Sequence, residues 1–171
     1  MVEVSNSMHR AGQRRGFTII ELMIIVAIMA IMAVMAAPYT AGTLASASLS
    51  TNADLASDAL REAQSSATSR KSGGKFGVHF EATKFVFFEG AAYSGADPDN
   101  AVHSFTGEVT ISAVTFSPGG ACTVATGSGN CDIHFANHRG TPTETGSVVF
   151  SSVDGPTKTV SINAAGMIDV N

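Results

Sequence analysis

The sequence lacks the motifs that usually announce an enzyme. It has no Gly-x-Ser-x-Gly elbow, no phosphate-binding loop ending in Lys-Ser/Thr, and no His-Glu-x-x-His pair. Ser and Thr are abundant, yet none sits in a motif beside a His and a carboxylate, so catalysis has no positive support and no cofactor is implied. Cationic side chains are also scarce: ten Lys and Arg stand against fourteen Asp and Glu, a formal net charge of −4. That balance argues against nucleic acid as a general partner. Cysteine occurs only at Cys122 and Cys131, with eight residues between them. In a domain moved out of the cytoplasm, such a pair forms a disulfide, here around the turn formed by Gly127, Ser128, Gly129 and Asn130.

What the sequence does have is one long apolar run. From Phe17 to Ala37 only Thr18 and Glu21 are polar. As a helix rising 1.5 Å per residue it is about 32 Å long, enough to cross a hydrocarbon core of about 30 Å. Arg10, Arg14 and Arg15 precede it, opposed only by Glu3, and hold that end in the cytoplasm. A secretory signal peptide, cleaved near Ala33 to Ala37, is the alternative. Glu21 sits one turn into the run, where an acidic group costs about 2.5–3.5 kcal/mol. Either it snorkels or is protonated, or it waits for a partner from another chain.

Arg14-Arg15-Gly16-Phe17-Thr18-Ile19-Ile20-Glu21-Leu22-Met23 closely resembles the class III signal of type IV pilins and type II secretion pseudopilins. Pro38, just after the run, is also typical of that family's first helix. The resemblance implies cleavage between Gly16 and Phe17 by prepilin peptidase, N-methylation at Phe17, and assembly into a filament in which Glu21 pairs with a neighbour's terminal amine. It further implies an inner-membrane assembly platform and other pilin or pseudopilin subunits as partners. The globular part would be periplasmic, and the assembled product a periplasmic pseudopilus or a surface pilus. After cleavage seven Lys and Arg would remain against thirteen Asp and Glu, a net charge of −6.

The expected organisation is α+β and pilin-like. Residues 1–16 form a cleaved leader. Residues 17–70 form a long helix, transmembrane over 17–37, and residues 71–171 form a β-rich domain packed on the second half of that helix. Pro38 should kink or locally open the helix. Beyond it, Leu44, Ala47, Leu55, Ala59, Ala63 and Ala67 fall at helical spacing and are expected to face the sheet. Lys71-Ser72-Gly73-Gly74 should end the helix. Strands are expected over 76–81 and 84–89 as a hairpin, over 108–116 and 131–136, over 147–152 and 157–163 as a second hairpin, and over 167–170. Turn residues fill 90–100.

Residues 55–78 and the segment from Val148 to Gly166 resemble, more loosely, the GspH/FimT group of minor pilins. DNA-binding members of that group carry a basic cluster near the final glycine. Here Gly166 is followed by Met167, Ile168 and Asp169, so direct DNA binding is not expected. A minor pilin or pseudopilin is therefore the first expectation. A major pilin, or a membrane-anchored binding domain that does not polymerise, are the alternatives.

Three further groups invite chemistry. Asp132, His134 and His138 near Cys131 suggest a metal, but Cys131 belongs to the expected disulfide and a strand through both histidines is unsupported. Asp97, Asp99 and Asn100 could offer oxygens to calcium, without the EF-hand spacing. His79 and His103 read most simply as surface or core-edge residues.

Overall fold

The computed structural model describes residues 16–69, 75–106, 109–135, 139–153 and 155–171, with the side chains of residues 35–42 outside that description. The chain divides into two compact units, Met1–Tyr39 and Thr40–Asn171. One helix, α1 (Ile19–Thr68), contributes to both.

In the first unit the described helix residues are all solvent-exposed, among them Ile19, Ile24, Met32 and Val34. Among the described residues no helix is long and apolar enough to cross a membrane. The described side chains of the apolar run stop at Val34, three residues short of its end in the sequence. The helix runs unbroken through Pro38, so that proline does not terminate it. The expected helix stop at Lys71 to Gly74 lies outside the described residues.

The second unit is α+β. Among the described residues ten strands follow the helix: β1 (Phe76–Glu81), β2 (Lys84–Glu89), β3 (Ala101–Ser104), β4 (Val109–Ser117), β5 (Cys122–Thr123), β6 (Ser128–Gly129), β7 (Asp132–Phe135), β8 (Thr145–Ser152), β9 (Thr157–Ile162) and β10 (Ile168–Val170). They form two four-stranded antiparallel sheets, ordered β3-β2-β1-β7 and β10-β9-β8-β4, and a two-stranded ribbon of β5 and β6. The β1–β2 hairpin turns at Ala82-Thr83, as its alternation and spacing predict. The β8–β9 hairpin also forms where expected. Short β3 and the β5–β6 ribbon go beyond the strands expected from the sequence.

Burial on the helix matches the expected stripe in its last turns, at Ala63 and Ala67 with Ala59 partly buried, and departs from it earlier. Leu49, Ala53, Ala56, Leu60, Ala63 and Ala67 are buried, at steps of four and three residues that keep one face inward. Leu44, Ala47 and Leu55 are exposed. The cause is composition. Alanine and serine fill both faces of this stretch, so hydropathy carries little phase information, and the contact with the sheets decides. Against this face sit Phe76, Val78, Phe80, Ile133 and Phe135 of the first sheet. Ile111, Phe116, Val148, Phe150, Val160 and Ile162 of the second sheet complete the core. Each buried phenylalanine or branched side chain contributes about 1.5–3 kcal/mol relative to exposure.

The other face of the first sheet has a small core of its own. Val86 and Phe88 of β2 are fully buried there beside His79 of β1. Tyr93 of the following loop covers them, its ring stacked on His79 at 3.9 Å and tilted against Phe88 at 5.6 Å. Gly77 makes room for Phe88: a Cβ on it would lie 2.5 Å from that ring and 2.7 Å from the Ile133 carbonyl.

Candidate functional site

The candidate site is the start of α1. Gly16, Phe17 and Thr18 are outside the helix and exposed. Among the described residues, a Cβ built on Gly16 would meet nothing within 4 Å. Thr18 closes the helix entrance. Its carbonyl accepts from the N–H groups of Glu21 (3.1 Å) and Leu22 (3.2 Å), and its hydroxyl accepts from the Glu21 N–H at 3.3 Å. Glu21 thus lies in the first turn, where the helix dipole favours a negative side chain. Among the described residues nothing pairs with its carboxylate. Beyond it runs a row of exposed Leu, Ile, Met and Val side chains. A soluble monomer rarely leaves so much contiguous apolar surface uncovered.

The expected disulfide is present, joining Cys122 to Cys131 with Cα atoms 4.9 Å apart. It ties the β5–β6 ribbon to the start of β7. Cys131 is thereby not a metal ligand. His138 lies outside the described residues. Among those described, no three His, Cys, Asp or Glu side chains converge on one point.

Asp132 and His134 instead belong to a network of His, carboxylate and Lys side chains on the outer face of the first sheet. Asp132 Oδ1 accepts from His79 Nδ1, and His79 Nε2 lies 3.7 Å from Glu81 Oε1, which also meets Lys84 Nζ at 3.1 Å. His134 Nδ1 donates to Glu144 Oε2 at 3.2 Å, and the same oxygen accepts from the His134 N–H at 2.9 Å and from the Thr143 hydroxyl at 2.6 Å. His134 Nε2 is buried 4.0 Å from Asp132 Oδ2, without a hydrogen-bond partner among the described residues. His79, expected at the surface or the core edge, is 3 % exposed. His103 stacks on Phe85 with ring centroids 4.8 Å apart.

The sequence holds one signal for this polar network. His79 and Glu81, and Asp132 and His134, are each two residues apart and so share a strand face. The register of β1 against β7, which sets His79 opposite Asp132, comes only from the fold. Tyr93 and Glu144 carry no such signal.

The loop with candidate calcium oxygens is closed by its own bonds. Asp97 Oδ1 accepts from the Asp99 N–H at 3.0 Å, and Asn100 Nδ2 donates to the Ser94 carbonyl at 2.7 Å.

No curated protein and no solved structure matches the chain. A family model described as the prokaryotic N-terminal methylation motif matches residues 12–37, a segment that contains Gly16, Phe17, Thr18 and Glu21. The chain therefore carries the N-terminal methylation motif of type IV pilin-like proteins at the head of its long helix.

Proposed function

We propose that this protein is a structural subunit of a type IV pilus or a type II secretion pseudopilus, of the minor, GspH/FimT-like kind. The observation that carries the proposal is the methylation motif at residues 12–37, set on a helix whose apolar side chains are exposed. Residues 1–16 act as a leader that prepilin peptidase removes between Gly16 and Phe17, after which the new Phe17 amine is methylated. Residues 17–37 first anchor the chain in the inner membrane, with the β-rich unit in the periplasm. They then move into a bundle of like helices. Lipid is as apolar as the helix, so packing and the charge pair, rather than exclusion of water, drive that transfer. Glu21 pairs with the terminal amine of a neighbouring subunit. An unpaired charge in low dielectric is costly, so wrong axial registers are penalised.

The test is quantitative mass spectrometry of sheared surface filaments beside the membrane fraction. A methylated Phe17 terminus at trace stoichiometry in filaments supports a minor subunit. The same terminus as the dominant species makes this the major pilin. An intact leader confined to membranes overturns processing and favours an anchored domain that does not polymerise.

A further inference from the structure

Where α1 begins decides whether the Gly16–Phe17 bond lies outside the helix or in its first turn. Two residues can start it. Thr18 does so here, through its hydroxyl and carbonyl bonds to the next turn, and Glu21 stands three residues on, the spacing of a capping box. Downstream, Ile19 and Ile20 are poor caps. Upstream, the nearest competent residue is Gly16, since glycine ranks with threonine at this position. A start at Gly16 would draw Phe17 and Thr18 into the first turn. The Gly16–Phe17 peptide would then lie in the helix entrance.

We propose that Thr18 is a positioning residue for leader removal: its hydroxyl caps α1 downstream of the Gly16–Phe17 bond and keeps that bond outside the helix, open to the peptidase. This rests on the processing proposed above. A protein surface that recognises a peptide as a strand needs its main-chain N–H and C=O groups free to bond. Gly16 and Phe17 lie outside the helix, their main-chain groups bond to no other described residue, and a Cβ on Gly16 would meet no described atom within 4 Å. Hydrolysis adds one water across the amide. The hydroxyl goes to the Gly16 carbonyl carbon, the C–N bond breaks, and the remaining proton goes to the Phe17 nitrogen, which leaves as the new amine.

The test tracks leader release from the full-length chain in membranes containing prepilin peptidase, read as the mass of the N-terminal peptide over time. Thr18→Val keeps the shape and removes the acceptor. Thr18→Ser and Thr18→Asn each restore an N-cap, with different shapes. Thr18→Val should slow the initial rate about fivefold, the equivalent of about 1 kcal/mol of capping. Thr18→Ser and Thr18→Asn should stay within about twofold of the parent, since Ser and Asn cap at least as well as Thr. A Thr18→Val chain cleaved at the parent rate overturns the positioning role while leaving the cleavage site standing. A Thr18→Asn chain as slow as Thr18→Val also overturns it, because the peptidase would then be reading the threonine itself. A parent chain left uncut between Gly16 and Phe17 removes the processing proposal and this one together.

Discussion

Gln64 reaches from α1 to Gly166: its Nε2 donates to the Gly166 carbonyl at 2.9 Å and to the Gly140 carbonyl at 2.6 Å. One side chain thus ties the last turn of the chain and the connection from β7 to β8 onto the helix. Gly166 has φ +79, and a Cβ there would lie 2.4 Å from the Gly140 oxygen and 2.5 Å from Gln64 Nε2. Gln64→Ala leaves two carbonyls without this donor and should cost about 1–3 kcal/mol. Gly166→Ala adds backbone strain to a steric clash and should cost at least as much. Urea unfolding of the detergent-solubilised chain reads both. Two variants with unchanged midpoints would mean the clamp is ornamental.

The polar network on the outer face of the first sheet makes a second prediction. His79 is buried, and its Nδ1 depends on Asp132. Asp132→Ala should therefore destabilise by about 1–3 kcal/mol, the penalty for a buried polar group left without a partner. Glu81 stands farther off, at 3.7 Å, so Glu81→Gln should cost less than about 1 kcal/mol. A double-mutant cycle between His79 and Asp132 separates their coupling from the loss of either alone. Equal costs for the Asp132 and Glu81 variants would contradict the geometry.

The disulfide supplies a third. It closes a short loop, with a sequence separation of 9. Chain-entropy reasoning for a loop of that size gives about 2–3 kcal/mol. Cys122→Ser with Cys131→Ala should lower the unfolding midpoint accordingly, as should reduction of the parent with a thiol. Alanine is chosen at 131 because that position is fully buried and a hydroxyl there would need a partner. A parent chain indifferent to reductant would contradict this.

These three sites differ in how legible they are in the sequence. The disulfide can be read from cysteine count and compartment. The hairpin of β1 and β2 can be read from alternation around Ala82-Thr83. The phase of the helix can be read only in its last turns, at Ala63 and Ala67; before them Leu44 and Leu55 look like the natural core residues, while the core takes Leu49 and Leu60. A pattern of alanines and serines leaves that choice to tertiary packing. The Gln64 clamp and the His79–Asp132 pair join residues far apart in the chain. Neither polar residue carries a local signal of burial. In the sequence Gly166 draws attention through its non-basic neighbours Met167, Ile168 and Asp169, whereas its structural role lies in its own missing side chain. At the N-terminus the motif is legible in full, since it is contiguous and needs no tertiary contact to form.

Glu21 carries the last prediction. Its carboxylate sits in the first turn of an apolar helix, and no described residue pairs with it. If a neighbour's Phe17 amine is its partner, Glu21→Ala removes the attraction that selects the register and leaves that amine buried and unpaired. Breaking a buried pair in this way costs about 3–5 kcal/mol per contact, enough to exclude the variant from filaments. Leader removal should continue, because the Thr18 hydroxyl accepts from the backbone N–H of residue 21, which the substitution keeps. The measurement is the ratio of processed variant in filaments to processed variant in membranes, with Glu21→Gln as the isosteric control. Glutamine can accept a hydrogen bond but carries no charge, so it should assemble poorly as well. Normal incorporation of both variants would show that the carboxylate has no part in assembly, and the exposed apolar face alone would have to set the register.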